Sequence, residues 1–146
     1  MHNVVNNLLS IQNELKIKIN KLNLNNYNPN IIAVSKTFSM QDIDPLINHG
    51  HIHFGENKVQ EAVEKWSNVK NDIKSIKLHM VGKLQTNKVK YVIPLFDYIH
   101  SLDNLKLAEK ISKEQIKKNK IINLFIQINI ENEKQKNGIL IEELDS

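Results

Sequence analysis

Apolar residues recur at Val4, Leu8, Ile11, Leu15, Ile19 and Leu22, the spacing that lays one stripe along a helix. This predicts an amphipathic helix over 4–22. An Asn-rich stretch ending near Pro29 then breaks the pattern. From Ile31 the period changes. Residues 31–36 are short, apolar and β-branched, which predicts a buried strand. Ser39 and Asp42 fit a capping box opening a helix to about His49, and Gly50 stands where a helix end favours a left-handed residue. The alternation then continues. Strands are predicted over 52–55, 77–82, within 96–102, and over 121–130. Helices are predicted over 59–69, with Val59, Val63 and Trp66 on one face, and over 87–93, stopped by Pro94. A further helix over 105–117 turns Leu105, Ala108, Ile111 and Ile116 inward. The tail from Gly138 to Ser146 reads as the start of another helix.

Strand and helix in strict alternation imply parallel βαβ units with helices packed over the sheet. No short repeat or low-complexity linker divides the chain, so residues 1–146 are expected to form one domain. Five βα units are either part of a barrel or an open sheet, and the pattern does not choose between them. A complete (β/α)8 barrel needs about 200 residues or more. The turn after the first strand, Lys36-Thr37-Phe38-Ser39, has no glycine, so the dinucleotide-binding fingerprint is missing.

Composition narrows the chemistry. Hydrophobic residues make up 40% and charged residues 25%, a globular balance. There is no Cys, which excludes disulfides, thiolate nucleophiles and zinc–thiolate centres. Neither a secretory signal nor a spanning segment is evident, so the cytoplasm is the expected compartment. All 20 basic side chains are Lys, and the net charge is +4. Without Arg, the bidentate reader of guanine, a nucleic-acid partner is not expected. His49, His51 and His53 straddle a helix end and a strand start, and no metal site is expected from them.

Lys36 is the leading candidate for chemistry. It ends an otherwise apolar strand, and in parallel α/β folds function gathers at the strand C-termini. A Lys amine condenses with aldehydes when it is neutral. The alternative is a strand-ending Lys that extends its amine into solvent. Asn57 follows the second strand and is either a helix N-cap, with Gln60 three residues on, or a ligand contact. Its neighbour Glu56 is either a surface charge or an orienting partner for a cation. His79, within the third strand, reads as a core or interlayer residue. Gln85, Asn87 and Lys88 follow the third strand, and Ser101 and Asp103 follow the fourth, where polar residues also serve as loops and caps.

Several stretches together resemble one family: residues 33–37 (AVSKT), 54–61 (FGENKVQE), 79–88 (HMVGKLQTNK), 99–103 (IHSLD), 127–131 (QINIE) and 136–138 (KNG). They resemble the pyridoxal-phosphate homeostasis proteins, which share the alanine-racemase N-terminal barrel. The resemblance implies the first five βα units of a TIM-type (β/α)8 barrel, incomplete here. It implies pyridoxal 5′-phosphate as cofactor, with Lys36 forming the internal aldimine and Asn57 approaching the ring. His79 and Ser101 are further candidates for the cofactor site. It also implies a cytoplasmic role in cofactor supply without an established catalytic reaction, with pyridoxal-phosphate-dependent apoenzymes as partners and a monomeric full-length protein. Phe38 stands where many relatives carry Lys. Relatives continue through three more strands that carry the phosphate grip. A chain ending at Ser146 is therefore expected to self-associate or to need a complementary piece. The rival functions are a racemase- or decarboxylase-like enzyme and a non-functional remnant.

Overall fold

The structure, a computed structural model, describes residues 3–24, 26–131, 133 and 135–144. Two compact units emerge. One runs to Ile31 and resumes over Thr37–Ile52. It contains helix α1 (Asn3–Lys21), which buries Val5 and Leu8, and helix α2 (Met40–Asn48). The Asp42 carboxylate accepts hydrogen bonds from the Ser39 backbone N–H at 3.0 Å and the Ser39 hydroxyl at 2.6 Å. This is the carboxylate's side of the expected capping box. Gly50 has φ +92°, the left-handed conformation expected past the end of this helix.

The other unit, Ile32–Lys36 and the residues from His53 onward, holds the sheet. Strands β1 (Ala33–Val34), β2 (His53–Glu56), β3 (Lys77–Met80), β4 (Tyr98–Leu102) and β5 (Asn123–Ile126) are all parallel. They lie in the order β1-β2-β3-β4-β5. The order never reverses, so the sheet lacks the switch point of doubly wound folds. Helices α3 (Val59–Asp72), α4 (Val89–Leu95) and α5 (Leu105–Lys118) connect successive strands.

The two-residue period of the strands sorts their side chains onto two faces. Phe54, Leu78, Met80 and Ile99 have no exposed surface. The Phe54 ring lies 4.9 Å from that of Trp66 in α3, so this row forms the core beneath the helices. The alternate row contains Val34, His53, His79, Tyr98, His100 and Phe125. Its aromatic rings contact one another across the strands.

Several elements depart from the pattern-based expectation. Strands β1, β3 and β5 are shorter, because ladder pairing ends before the apolar runs do, and β2 keeps its length but starts one residue later. β5 covers four residues rather than ten, and Leu124, Phe125 and Ile126 on it are exposed. Pro94 does not stop α4 but stands in its last turn, and the chain leaves the helix at Phe96. The tail forms a 3₁₀ turn at Ile141–Glu143, and Asp145 and Ser146 lie outside the described residues.

The face of α5 also differs. Leu107 and Ile111 are fully buried, with Glu114 beside them, whereas Leu105 and Ile116 are 78% and 79% exposed. The stripe runs through 107, 111 and 114. At about 100° per residue, Leu105 and Ile116 stand about 200° and 140° around the helix from Leu107 and Ile111 respectively. Ile111→Ala is therefore expected to cost about 2–5 kcal/mol. Ile116→Ala should stay within about 0.5 kcal/mol of wild type. Urea unfolding of the two variants checks this, and equal losses would place the buried stripe elsewhere.

Candidate functional site

The approach to Lys36 is built from a buried charge. The Glu56 side chain has no exposed surface. Its Oε1 accepts hydrogen bonds from Ser35 Oγ at 2.8 Å, Lys65 Nζ at 3.0 Å and Trp66 Nε1 at 2.9 Å. Lys65 also donates to the Ser35 carbonyl at 2.9 Å, and the Ser35 N–H donates to the Gly55 carbonyl at 2.9 Å. Ser35 is thus tied at its amide, its carbonyl and its hydroxyl. Strand alternation then puts the next residue, Lys36, on the opposite face, where it is exposed. Thr37 follows with φ +67°, a conformation that a β-branched residue rarely adopts. Such backbone strain costs about 1–3 kcal/mol and clusters at functional sites. The chain bends sharply immediately after the lysine without the glycine that would signal it.

Asn57 follows the end of β2, the strand that pairs with β1. Val34 pairs with Gly55. Beyond it the Ser35 N–H donates to the Gly55 carbonyl, and Lys36 lies in the turn that follows. Asn57 is not the N-cap of α3: Lys58 holds that position, and Gln60 Nε2 donates to Glu64 instead. The Asn57 Oδ1 is buried and has no hydrogen-bond partner. A buried amide oxygen without a donor is costly unless something supplies one. Gly82, just past β3, packs against the same residue. A Cβ there would lie 2.3 Å from the Asn57 carbonyl oxygen and 2.7 Å from its Cα. Only glycine permits this approach.

His79 is neither a lone core residue nor a rim residue. It lies mid-sheet in a chain of three imidazoles. His53 Nδ1 and His79 Nε2 are 2.9 Å apart, and His79 Nδ1 and His100 Nε2 are also 2.9 Å apart. Burial, followed by the neighbouring His100 and His53, lowers the His79 pKa to about 4. Burial also lowers that of His100. The sequence shows no cluster, because each histidine sits on a different strand. The available signal was period-two placement: His53, His79 and His100 all occupy positions alternate to the core row.

Ser101 is 3% exposed, and its Oγ is buried without a partner. It lies where the β4–β5 register shifts between Ile99 and Leu102. The cap of α5 is Asn104, whose side chain accepts from the Leu107 N–H at 2.8 Å. Asp103 accepts from Asn104 Nδ2 at 2.7 Å. A hollow of about 390 Å³ beyond β4 and β5 is lined by Leu102, Asp103, Leu105, Ile126 and Ile139 among others. Lys36, Asn57 and His79 do not line it. At the opposite, N-terminal end of the strands, Asp97 accepts from the Leu78 N–H at 2.9 Å and pairs with Lys70. That end reads as structural. Among the described residues, no group of three His, Asp or Glu is arranged to hold a metal ion, and no helix is long and apolar enough to cross a membrane.

No protein-family model matches the chain. Curated relatives do. It is 34% identical over 142 residues to the pyridoxal phosphate homeostasis protein of Haemophilus influenzae, covering 97% of this chain and 60% of that protein. It is 37% identical over 142 residues to the protein of the same name from Buchnera aphidicola, covering 97% and 62%. The chain therefore spans about 60% of the length of the curated relatives it matches. Among solved structures, PipY of Synechococcus elongatus PCC7942 without PLP superposes with a TM-score of 0.74 at 32% identity, covering 84% of this chain and 58% of that one. The same protein with PLP bound superposes with a TM-score of 0.67, covering 77% and 54%.

Two outcomes follow from this geometry. Lys65→Met leaves the Glu56 carboxylate buried without its cation and is expected to cost about 3–5 kcal/mol in denaturant unfolding. A loss below about 1 kcal/mol, the range of exposed pairs, would remove Glu56 as the organising group. His79 is held neutral in the fold, so the unfolded state takes up its proton first on acidification. Its contribution to stability is complete above about pH 6.5 and declines as pH falls towards about 4. Melting temperatures over that range should fall more for wild type than for His79→Phe.

Proposed function

From the premise that this chain is a homologue of the pyridoxal phosphate homeostasis proteins along nearly all of its length, we propose that it binds pyridoxal 5′-phosphate through Lys36 and serves intracellular supply of that cofactor. The cofactor brings a reactive aldehyde on an aromatic ring. This chain's residues fit such a group. Lys36 offers an exposed amine at the C-terminal end of β1. Asn57, just past the end of the neighbouring β2, has a buried and unpaired amide oxygen. The orphaned amide oxygen just past β2, the strand that pairs with the one ending before Lys36, is the observation that supports the reading. Ser35 and Glu56 hold the lysine's backbone, and Gly82 holds the asparagine.

The sequential all-parallel order of β1 to β5 supports reading them as successive units of a (β/α)8 barrel. Residues 1–146 are taken as one partial barrel domain. Ser101, with its unpartnered hydroxyl, is a secondary contact. His79 acts from the middle of the sheet rather than as a direct ligand. The protein is a cytoplasmic carrier rather than a catalyst, and its partners are the cofactor and the apoenzymes that receive it.

The test is imine absorbance after mixing the chain with pyridoxal 5′-phosphate. Wild type should develop the band, and Lys36→Ala should lose it. An equal band in the variant would assign binding to other lysines. Gly82→Ala, which displaces Asn57, should weaken binding while leaving the lysine in place.

A further inference from the structure

Three imidazoles cross the middle of the sheet in one hydrogen-bonded line, His53 on β2, His79 on β3 and His100 on β4. Flat neighbours hold two of the rings in place. Tyr98 stacks on His79 with centroids 4.2 Å apart and planes 3° apart, and Phe125 stacks on His100 at 4.5 Å and 15°. His79 is 4% exposed. Both of its nitrogens are used in the two links, so the rings are joined in series and do not converge on a common ion.

The proton count of this line is restrictive. Each link takes one hydrogen. A neutral trio has three N–H hydrogens: two fill the links, and the third sits on an outer nitrogen, either His53 Nε2 or His100 Nδ1. Reversing both links moves the third hydrogen from one end to the other, with nothing gained or lost. One added proton is also accommodated, since both outer nitrogens then carry hydrogen while both links persist. A second added proton would put two N–H groups face to face across 2.9 Å and break a link.

We propose that His53, His79 and His100 form a single acid–base relay. It takes up one proton as a unit and passes it across β2, β3 and β4, on the sheet face that bears Lys36 and Asn57. The chemistry served there is proton exchange during amine–aldehyde condensation. In that condensation the lysine nitrogen loses protons, the new C–N bond forms, and the aldehyde oxygen leaves as water.

The groups acting on the relay come from every packed element. On β3, Lys77 precedes His79 by two residues and lies 3.9 Å from Asp97. Asp97 favours a charge on His79, and Lys70 of α3 opposes it. Tyr98 of β4 stacks on the central ring. β1 and β5 bring no charged residue, and Glu56 of β2 is paired with Lys65. The delivery role rests on the reading of Lys36. The shared proton does not.

Imidazole nitrogen NMR of the cofactor-free 146-residue chain across pH tests the relay. In wild type the ring nitrogens of all three residues should shift together in one step that takes up one proton. His79→Phe keeps a flat ring on Tyr98 but cuts both links, so His53 and His100 should then titrate separately, in two independent steps. Three independent titrations in wild type overturn the relay, and that result needs no folded variant. Curves for His53 and His100 unchanged by His79→Phe also overturn it. In a second arm, His79→Phe should capture pyridoxal 5′-phosphate about 10²-fold more slowly than wild type, the low end of acid–base contributions. An equal rate overturns delivery. Failure of wild type itself to capture the cofactor would count against the Lys36 reading and leave the NMR result standing.

Discussion

Glu56 carries a carboxylate into a place with no exposed surface, where it holds Ser35, Lys65 and Trp66 at once. A buried charge of this kind persists only if it is paired and hydrogen-bonded. The requirement fixes more than the carboxylate. It ties α3 to the end of β2, and through Ser35 it ties the end of β1 to both. Lys36 is the first residue beyond that tie, and the strained Thr37 turns the chain away immediately after it. The amine is therefore presented from a rigid base. Side chains that act at defined positions are best held by packed and hydrogen-bonded neighbours.

The two faces of the sheet divide the work. One carries Phe54, Leu78, Met80 and Ile99 into a dry core under α3, α4 and α5. The other carries rings that stack and hydrogen-bond to each other, with Lys36 and Asn57 at the C-terminal ends of the first two strands. Apolar packing supplies the scaffold on the core side, where Glu56 and Ser35 are buried polar exceptions held by Lys65 and Trp66, and the histidines lie on the opposite side. The Asn57 amide oxygen and the Ser101 hydroxyl are buried without a partner, as are the second carboxylate oxygens of Glu56 and Glu114. Natural folds rarely leave such groups without a reason.

Much of this was legible in the residues. The alternation of period-two and helical stretches marks the order of elements, and an isolated Lys after an apolar strand marks the rim. What escaped the pattern has physical causes. Asn57 has the residue type and spacing of an N-cap, yet the helix begins one residue later and leaves the amide oxygen unpaired. Glu56 looks like a surface charge in a loop motif, because the Lys65 that permits its burial lies nine residues away, one turn and a half into α3. The histidine line depends on parallel register between three strands, which no single stretch encodes. The buried stripe of α5 runs through Leu107 and Ile111, although Leu105 and Ile116 are equally apolar, because side-chain angle around the helix decides burial.

Borohydride reduction after incubation with pyridoxal 5′-phosphate, followed by peptide mass mapping, measures the central claim directly, since all 20 lysines compete in one experiment. The cofactor's mass should be fixed predominantly on the peptide containing Lys36. Label spread over the surface lysines, with Lys36 no more modified than the rest, would contradict it.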